Sequence, residues 1–343
     1  MVGLPVMKEI KAHTAIRGIA AFLVVIYHYR EIIGPEFDRY TSFFEKGYLW
    51  VDCFFMLSGF ILSYIYGAGP SKSIEAAQRF FRARLARIYP LHIATLLGLV
   101  AFVIVLPHIS HQKTSPDWRT FWLNVTNIHA WGMLSAYDWN FPSWSISVEF
   151  AAYLFYPLAI AALARFSRAT TIALTVLFAL ASMTGREHWE RLALLHGLPM
   201  FLMGMIIYKI PKLPSAILSL QIASVLSLIF VLHFGLSDAL AELCFVGLIY
   251  SIQWDDGLAR YLSWSPLLWL GASSYSIYML HIPVRIVDDS FVRVHLNSCA
   301  YFVLVTVTTL MAATVSYRVF EIPLRNLITG RAKKIRMTTA PVA

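Results

Sequence analysis

Charge is what this sequence has least of. Asp, Glu, Lys and Arg make up 14% of its 343 residues, where a soluble domain carries about a quarter. That scarcity argues against a water-soluble globule. Cysteine is scarce as well. Cys53, Cys244 and Cys299 all lie in apolar runs, which supports neither a disulfide framework nor a metal site, and packing accounts for them. No internal repeat, low-complexity tract or second domain is visible. Lys8 and Lys11 precede the first apolar run, and no small-residue cleavage pattern follows it, so no cleaved leader is expected. The net charge of +9 is read as basic flanks of membrane helices and not as a nucleic-acid surface.

Apolar length is what the chain has in abundance. Hydrophobic residues reach 58% and aromatics 15%, as expected where aromatic belts line two water–lipid interfaces. A membrane-spanning helix needs about 20 mostly apolar residues. The segments 14–33, 48–67, 88–107, 143–164, 169–184, 193–209, 214–233, 238–254, 265–287 and 299–320 meet that need. The expected fold is therefore all-α, a polytopic transmembrane bundle of about ten spans. The stretch 118–134 is aromatic but interrupted by polar residues and is expected to be re-entrant or interfacial. With the N-terminus inside, the inner segments hold twice as many Lys and Arg as the outer ones. Both termini are then cytoplasmic. Residues 8–328 form the transmembrane domain, and 329–343 a basic, disordered cytoplasmic tail.

Ionisable residues inside spans are costly and point to function. In the first span, Arg17 and His28 are eleven residues apart. That is about three helical turns plus 20°, so both lie on one stripe about 16 Å apart along the axis. An arginine fork suits a phosphate, and an imidazole suits a general base acting on a hydroxyl. A long ligand with an anionic head and a reactive thioester tip, such as coenzyme A, fits that separation. Read without function, Arg17 snorkels at the interface and His28 caps the helix.

The loop after the second span is arginine-rich, with Arg79, Arg82, Arg84 and Arg87 before Tyr89-Pro90. Arg84 and Arg87 share a helical face. The set reads either as a phosphate socket or as an ordinary positive flank. Pro142 and Ser143 start the fourth span, with Ser143 as its cap, and Glu149 falls about two turns in, where a carboxylate can orient His28. Asp52, Ser58-Gly59, Trp144, Ser147 and His281 are further candidates for substrate contact or support. Against that, Ser58-Gly59 can be close packing, Asp52 an interfacial acid, and His281 a partner for a carbonyl freed near Pro283. Arg318 and Glu321 are spaced to pair locally.

These pieces together resemble the acyltransferase 3 family of membrane-bound acyltransferases. The motifs follow in order: Arg17 with ten residues to His28, Val51-Asp52 through Ser58-Gly59-Phe60, the arginine-rich segment to Tyr89-Pro90, Trp144 to Glu149, Tyr275 to Pro283, and Glu321-Ile322-Pro323-Leu324-Arg325. The resemblance implies an acyl-coenzyme A donor, usually acetyl-CoA, used from the cytoplasm at a bacterial inner membrane. It implies as acceptor a hydroxyl of a sugar or surface polysaccharide, and it makes Arg17 and His28 essential. Membrane lipids are the other partner; neither metal nor nucleic acid is expected. Some relatives carry an extra esterase-like domain after the bundle, and none is expected here. The expected assignment gives Arg84, Arg87, Arg82 and Arg17 to the cofactor and His28 with Glu149 to catalysis. Direct transfer and an acyl-histidine route both remain open. A rival reading is a secondary transporter or flippase for a lipid-linked sugar, whose related halves are not visible in the sequence.

Overall fold

The computed structural model describes residues 9–34, 38–67, 73–105, 117–133, 139–167, 189–211, 217–254, 256–293 and 296–330, with isolated positions between 169 and 177. The elements are α1 (Lys11–Ile33), α2 (Trp50–Tyr66), α3 (Ile74–Val105), α4 (Trp118–Val125), α5 (Trp144–Leu163), α6 (Trp189–Lys209), α7 (Ile217–His233), α8 (Asp238–Ser251), α9 (Ser265–Ala272), α10 (Ser274–Phe291), α11 (Ser298–Val315) and α12 (Ile322–Thr329). A π-helical turn, Ser316–Glu321, joins the last two. No strand occurs among the described residues.

Four helical stretches are long and apolar enough to cross a membrane: Glu45–Tyr66, Ile74–Ile104, Phe141–Leu163 and Ser298–Thr329, with Ala193–Lys209 and Ile217–His233 as shorter apolar helices. This establishes an all-helical membrane protein but not the expected count of about ten spans. Charge dilutes the rest: α1 carries Lys11, Arg17, Arg30 and Glu31, and α10 carries Arg285, Asp288 and Asp289. The expected span 265–287 is broken at Ser273 into α9 and α10. The expected span 169–184 falls largely outside the described residues, as does the tail beyond Gly330. Helix α12 runs on to Thr329, and Gly330, at φ 74°, closes it in the left-handed conformation.

The chain divides into two compact units, one of Met1–Gly69 with Leu158–Ser274, the other of Pro70–Pro157 with Tyr275–Ala343. In the first, helices meet backbone to backbone. A Cβ on Gly59 of α2 would lie 1.9 Å from the Phe201 carbonyl of α6, and one on Gly204 would lie 1.9 Å from the Met56 carbonyl. Helices α1 and α9 approach in the same way, with Gly271 against the Thr14 carbonyl. Lipid gives no hydrophobic drive for helix association, so close contact between small residues supplies it. Helix α7 shows the reversed pattern that lipid demands: Gln221 and Ser224 are buried while Leu218, Leu226 and Phe230 are exposed.

In the second unit the arginine-rich segment is not a loop. It forms the first turns of α3, a 32-residue helix with Pro90 inside it. Its Arg, Ala and Leu content favours helix, so the arginines are held on a rigid rod. Within the 118–134 stretch the described residues form the short helix α4 followed by turns, and that helix is too short to span. The stretch is tied to α5 by Asn127 Nδ2 donating to the Ile146 carbonyl (3.3 Å) and Trp131 Nε1 donating to the Ser147 carbonyl (3.1 Å).

Because even a methyl at Gly59 would collide with backbone, Gly59→Ala should destabilise the first unit by about 1–3 kcal/mol through overpacking. A lowered thermal midpoint of the purified protein in detergent is the expected result; an unchanged midpoint would contradict the close approach of α2 and α6.

Candidate functional site

The expected site residues are shared between the units. Arg17, His28, Asp52 and Ser58 lie in the first; Arg82, Arg84, Arg87, Trp144, Ser147, Glu149 and His281 lie in the second.

Arg17 and His28 occupy one unbroken helix, α1, and both are half-buried. Arg17 Nη2 donates to Ser274 Oγ at 3.2 Å. His28 Nδ1 lies 3.0 Å from the Val24 carbonyl. A carbonyl only accepts, so Nδ1 carries the proton, and the neutral ring has its lone pair on Nε2. The backbone of α1 itself thus fixes this tautomer. Tyr27 packs edge-on to His28 with ring centroids 4.8 Å apart. On the next turn Arg30 pairs with Asp38 at 3.3 Å.

Asp52 is not an interfacial acid. It is buried and accepts from His196 Nε2 at 2.6 Å, a partner 144 residues away on α6. Neither residue alone marked this pair, because nothing in a sequence signals which histidine a buried carboxylate will meet. Gly59 serves close packing, as the fold shows.

In the second unit, Arg87 pairs with the buried Glu321, whose other oxygen accepts from Ser276 Oγ at 3.0 Å. The Arg87 guanidinium also lies 5.4 Å from the centre of the Tyr275 ring. This overturns the expected local pair of Arg318 with Glu321. The π-helical turn carries an extra residue, so it rotates Glu321 inward and leaves Arg318 exposed. It also means that Arg87, expected to bind phosphate, already has its charge matched by a carboxylate. Arg84 lies 6.0 Å from the centre of the Tyr153 ring, and Tyr153 Oη donates to Glu149 at 2.5 Å. Arg82 is exposed.

The start of α5 is polar and crowded. Ser143 belongs to a short 3-10 turn, Phe141–Ser143, that precedes the helix. It does not cap α5: its hydroxyl is 3.1 Å from His129 Nε2. Ser147 donates to the Asn127 carbonyl at 2.9 Å and accepts from the Ala130 amide at 3.2 Å. It ties α5 to the segment that follows α4. Trp144 is buried beside it. His92 and His129 stack with planes 3° apart, and both are buried. Burial, then the neighbouring His92, pushes the His129 imidazole down to about 3, so it stays neutral. These two histidines sit 37 positions apart in the sequence and gave no motif. His281 is fully buried, with Nδ1 2.6 Å from the Tyr278 carbonyl. The carbonyl that Pro283 frees four residues earlier, at Met279, is taken by Asn140 Nδ2 at 2.9 Å.

A buried pair stripped of one partner leaves a charge without compensation, at a cost of about 3–5 kcal/mol. Glu321→Gln should therefore lower the thermal midpoint markedly, and Arg87→Gln with Glu321→Gln together should recover part of the loss. A double variant no better than the worse single one would contradict the pairing.

Among known proteins, the chain matches the acyltransferase 3 family, described as an acyltransferase domain, over residues 11–318. Acyltransferase MdmB of Streptomyces mycarofaciens is 32% identical over 118 residues, which is 33% of this chain and 28% of that protein. Protein 2 in picA locus of Rhizobium radiobacter is 38% identical over 91 residues, 26% of this chain and 44% of that protein. O-acetyltransferase OatA of Staphylococcus aureus is 23% identical over 352 residues, 90% of this chain and 56% of that protein. The chain thus spans 28%, 44% and 56% of the lengths of these three relatives. No solved structure matches. The family match begins with the first residue of α1 and reaches the π-helical turn, and on that coverage the protein belongs to the acyltransferase 3 family.

Proposed function

We propose that the protein is a membrane O-acyltransferase that moves an acyl group, acetyl above all, from acyl-coenzyme A in the cytoplasm to a hydroxyl of a sugar or cell-surface polysaccharide. Its place is a bacterial inner membrane, with both termini cytoplasmic. Family membership supports acyl transfer, and the name of the O-acetyltransferase relative supports an oxygen acceptor and an acetyl group. The observation that carries the reading is the state of His28. Its Nδ1–H is held by the Val24 carbonyl, so Nε2 is the basic atom, on the same helix as Arg17 and about 16 Å along it.

His28 Nε2 takes the proton from the acceptor hydroxyl as its oxygen bonds to the thioester carbonyl carbon. The carbon–sulfur bond breaks, and the departing thiolate takes the proton back from the imidazolium. The Val24 carbonyl also accepts from the ring while it is charged, which steadies it during transfer. Arg17, Arg84 and Arg82 are the cations assigned to the anionic end of the donor.

General-base catalysis contributes about 10²–10⁴-fold. His28→Ala should therefore lower acetyl transfer at least about a hundredfold while the protein still binds coenzyme A. Thiol release from acetyl-coenzyme A by the purified protein, with mass spectrometry of the acetylated glycan, measures this. Transfer undiminished in His28→Ala would end the assignment.

A further inference from the structure

Acyl transfer develops a charge that none of the residues assigned above receives. As the acceptor oxygen bonds to the thioester carbon, the carbonyl oxygen becomes an oxyanion, and a fixed hydrogen-bond donor beside His28 would stabilise it. Tyr27 precedes His28 on α1 and meets its imidazole: the two rings pack edge-on with centroids 4.8 Å apart. A phenol oxygen is the outermost atom of its ring. A tyrosine ring in contact with His28 therefore carries a hydroxyl to the edge of the space where the reaction occurs.

Tyr27 is firmly held. The Arg30 guanidinium lies 4.5 Å from its ring centre, and Arg30 Nη1 donates to the Tyr27 carbonyl at 2.9 Å. Asp38 fixes Arg30 in turn, at 3.3 Å. Tyr48, on the 3-10 turn Glu45–Leu49, packs edge-on against Tyr27 with centroids 5.9 Å apart. That turn is pressed onto α1: a Cβ on Gly47 would stand 2.5 Å from the Tyr27 Cβ. Tyr48 is anchored by its own hydroxyl, which donates to Asp238 Oδ2 at 2.9 Å, while Lys46 Nζ donates to Asp238 Oδ1 at 2.7 Å. The two phenols thus differ. The Tyr48 hydroxyl is taken by a carboxylate, whereas the Tyr27 hydroxyl has no hydrogen bond to any described residue, and Tyr27 is half-buried. A donor that is held by packing and still open suits an oxyanion, because nothing has to reorganise when the charge appears.

We infer that Tyr27 is a catalytic residue whose phenol donates to the thioester oxyanion, with Tyr48 as the positioning residue that braces it. This rests on the acyl-transfer reading. The acceptor oxygen bonds to the carbonyl carbon, its proton passes to His28 Nε2, and the carbonyl π pair moves onto oxygen. Tyr27 keeps its proton throughout and shares it with that oxygen as a hydrogen bond. The carbonyl double bond then re-forms, the carbon–sulfur bond breaks, and the thiolate takes the proton from the imidazolium. The phenol meets only an oxygen whose charge appears during the reaction, so its contribution falls on the rate and not on binding of the donor.

Tyr27→Phe removes the hydroxyl and leaves the ring contacts with Arg30, Tyr48 and His28 in place. The assay uses the purified full chain in nanodiscs, acetyl-coenzyme A, and glycan isolated from the source cells as acceptor. Tyr27→Phe should lower kcat about 10²–10³-fold, the loss expected when one oxyanion donor is removed. The KM for acetyl-coenzyme A and the thermal midpoint should stay those of the wild type. A fluorinated tyrosine in place of Tyr27, which keeps a phenol at that site, should sustain kcat. A Tyr27→Phe protein with wild-type kcat overturns the assignment. So does a loss that appears in KM or in the thermal midpoint instead of kcat, or one that the fluorinated tyrosine shares. If the wild type transfers acetyl groups, His28→Ala does not, and Tyr27→Phe works at full rate, the oxyanion role falls and acyl transfer stands. If the wild type transfers none, the acyl-transfer reading falls and takes this role with it.

Discussion

Lipid offers no water to a stranded polar group, and the pairing of Arg87 with Glu321 is where this protein meets that constraint most sharply. The carboxylate is almost fully buried and takes donors from two other helices, Arg87 from α3 and Ser276 from α10. Three helices of the second unit thus converge on one side chain. Such an arrangement adds little net stability compared with apolar packing, but a wrong register leaves a naked charge, so it selects one register strongly. The order of the neighbouring side chains along α3 and α12 follows from that register.

The same demand is met by other means in the first unit. Glycines let α2 and α6 approach until backbone touches backbone, and one buried carboxylate there, Asp52, accepts from His196. Close packing of small residues and buried polar contacts together do what a hydrophobic core does in water. Helix α1, which carries Arg17 and His28, packs its first turns on α9 through Gly18 and Gly271.

Features encoded within one helix were legible from the sequence. The stripe shared by Arg17 and His28 needs only helical geometry, and the boundaries expected for α2, α5 and α8 lie within a few residues of those observed. The shortness of α4 was readable from the polar interruptions of 118–134. What was not legible depends on partners far apart in the chain. Asp52 with His196, Arg87 with Glu321, and His92 beside His129 leave no periodic trace. The π-helical turn misled most directly: a spacing of three predicts that Arg318 faces Glu321 in an α-helix, and one inserted residue removes that neighbour. The arginine-rich segment reads as a loop from sequence because its charge masks its helix-forming content, whereas it belongs to α3.

The bond from Asn140 to the Met279 carbonyl bears on how the chain is assembled. A proline in a membrane helix exposes a carbonyl that must find a donor before the helix can rest in lipid. Asn140 precedes Met279 by 139 residues, so the ribosome has delivered the donor long before α10 emerges. The proline-bearing helix enters a bilayer where the donor for its freed carbonyl is already waiting, and a chain made in the opposite order would leave that carbonyl bare during insertion.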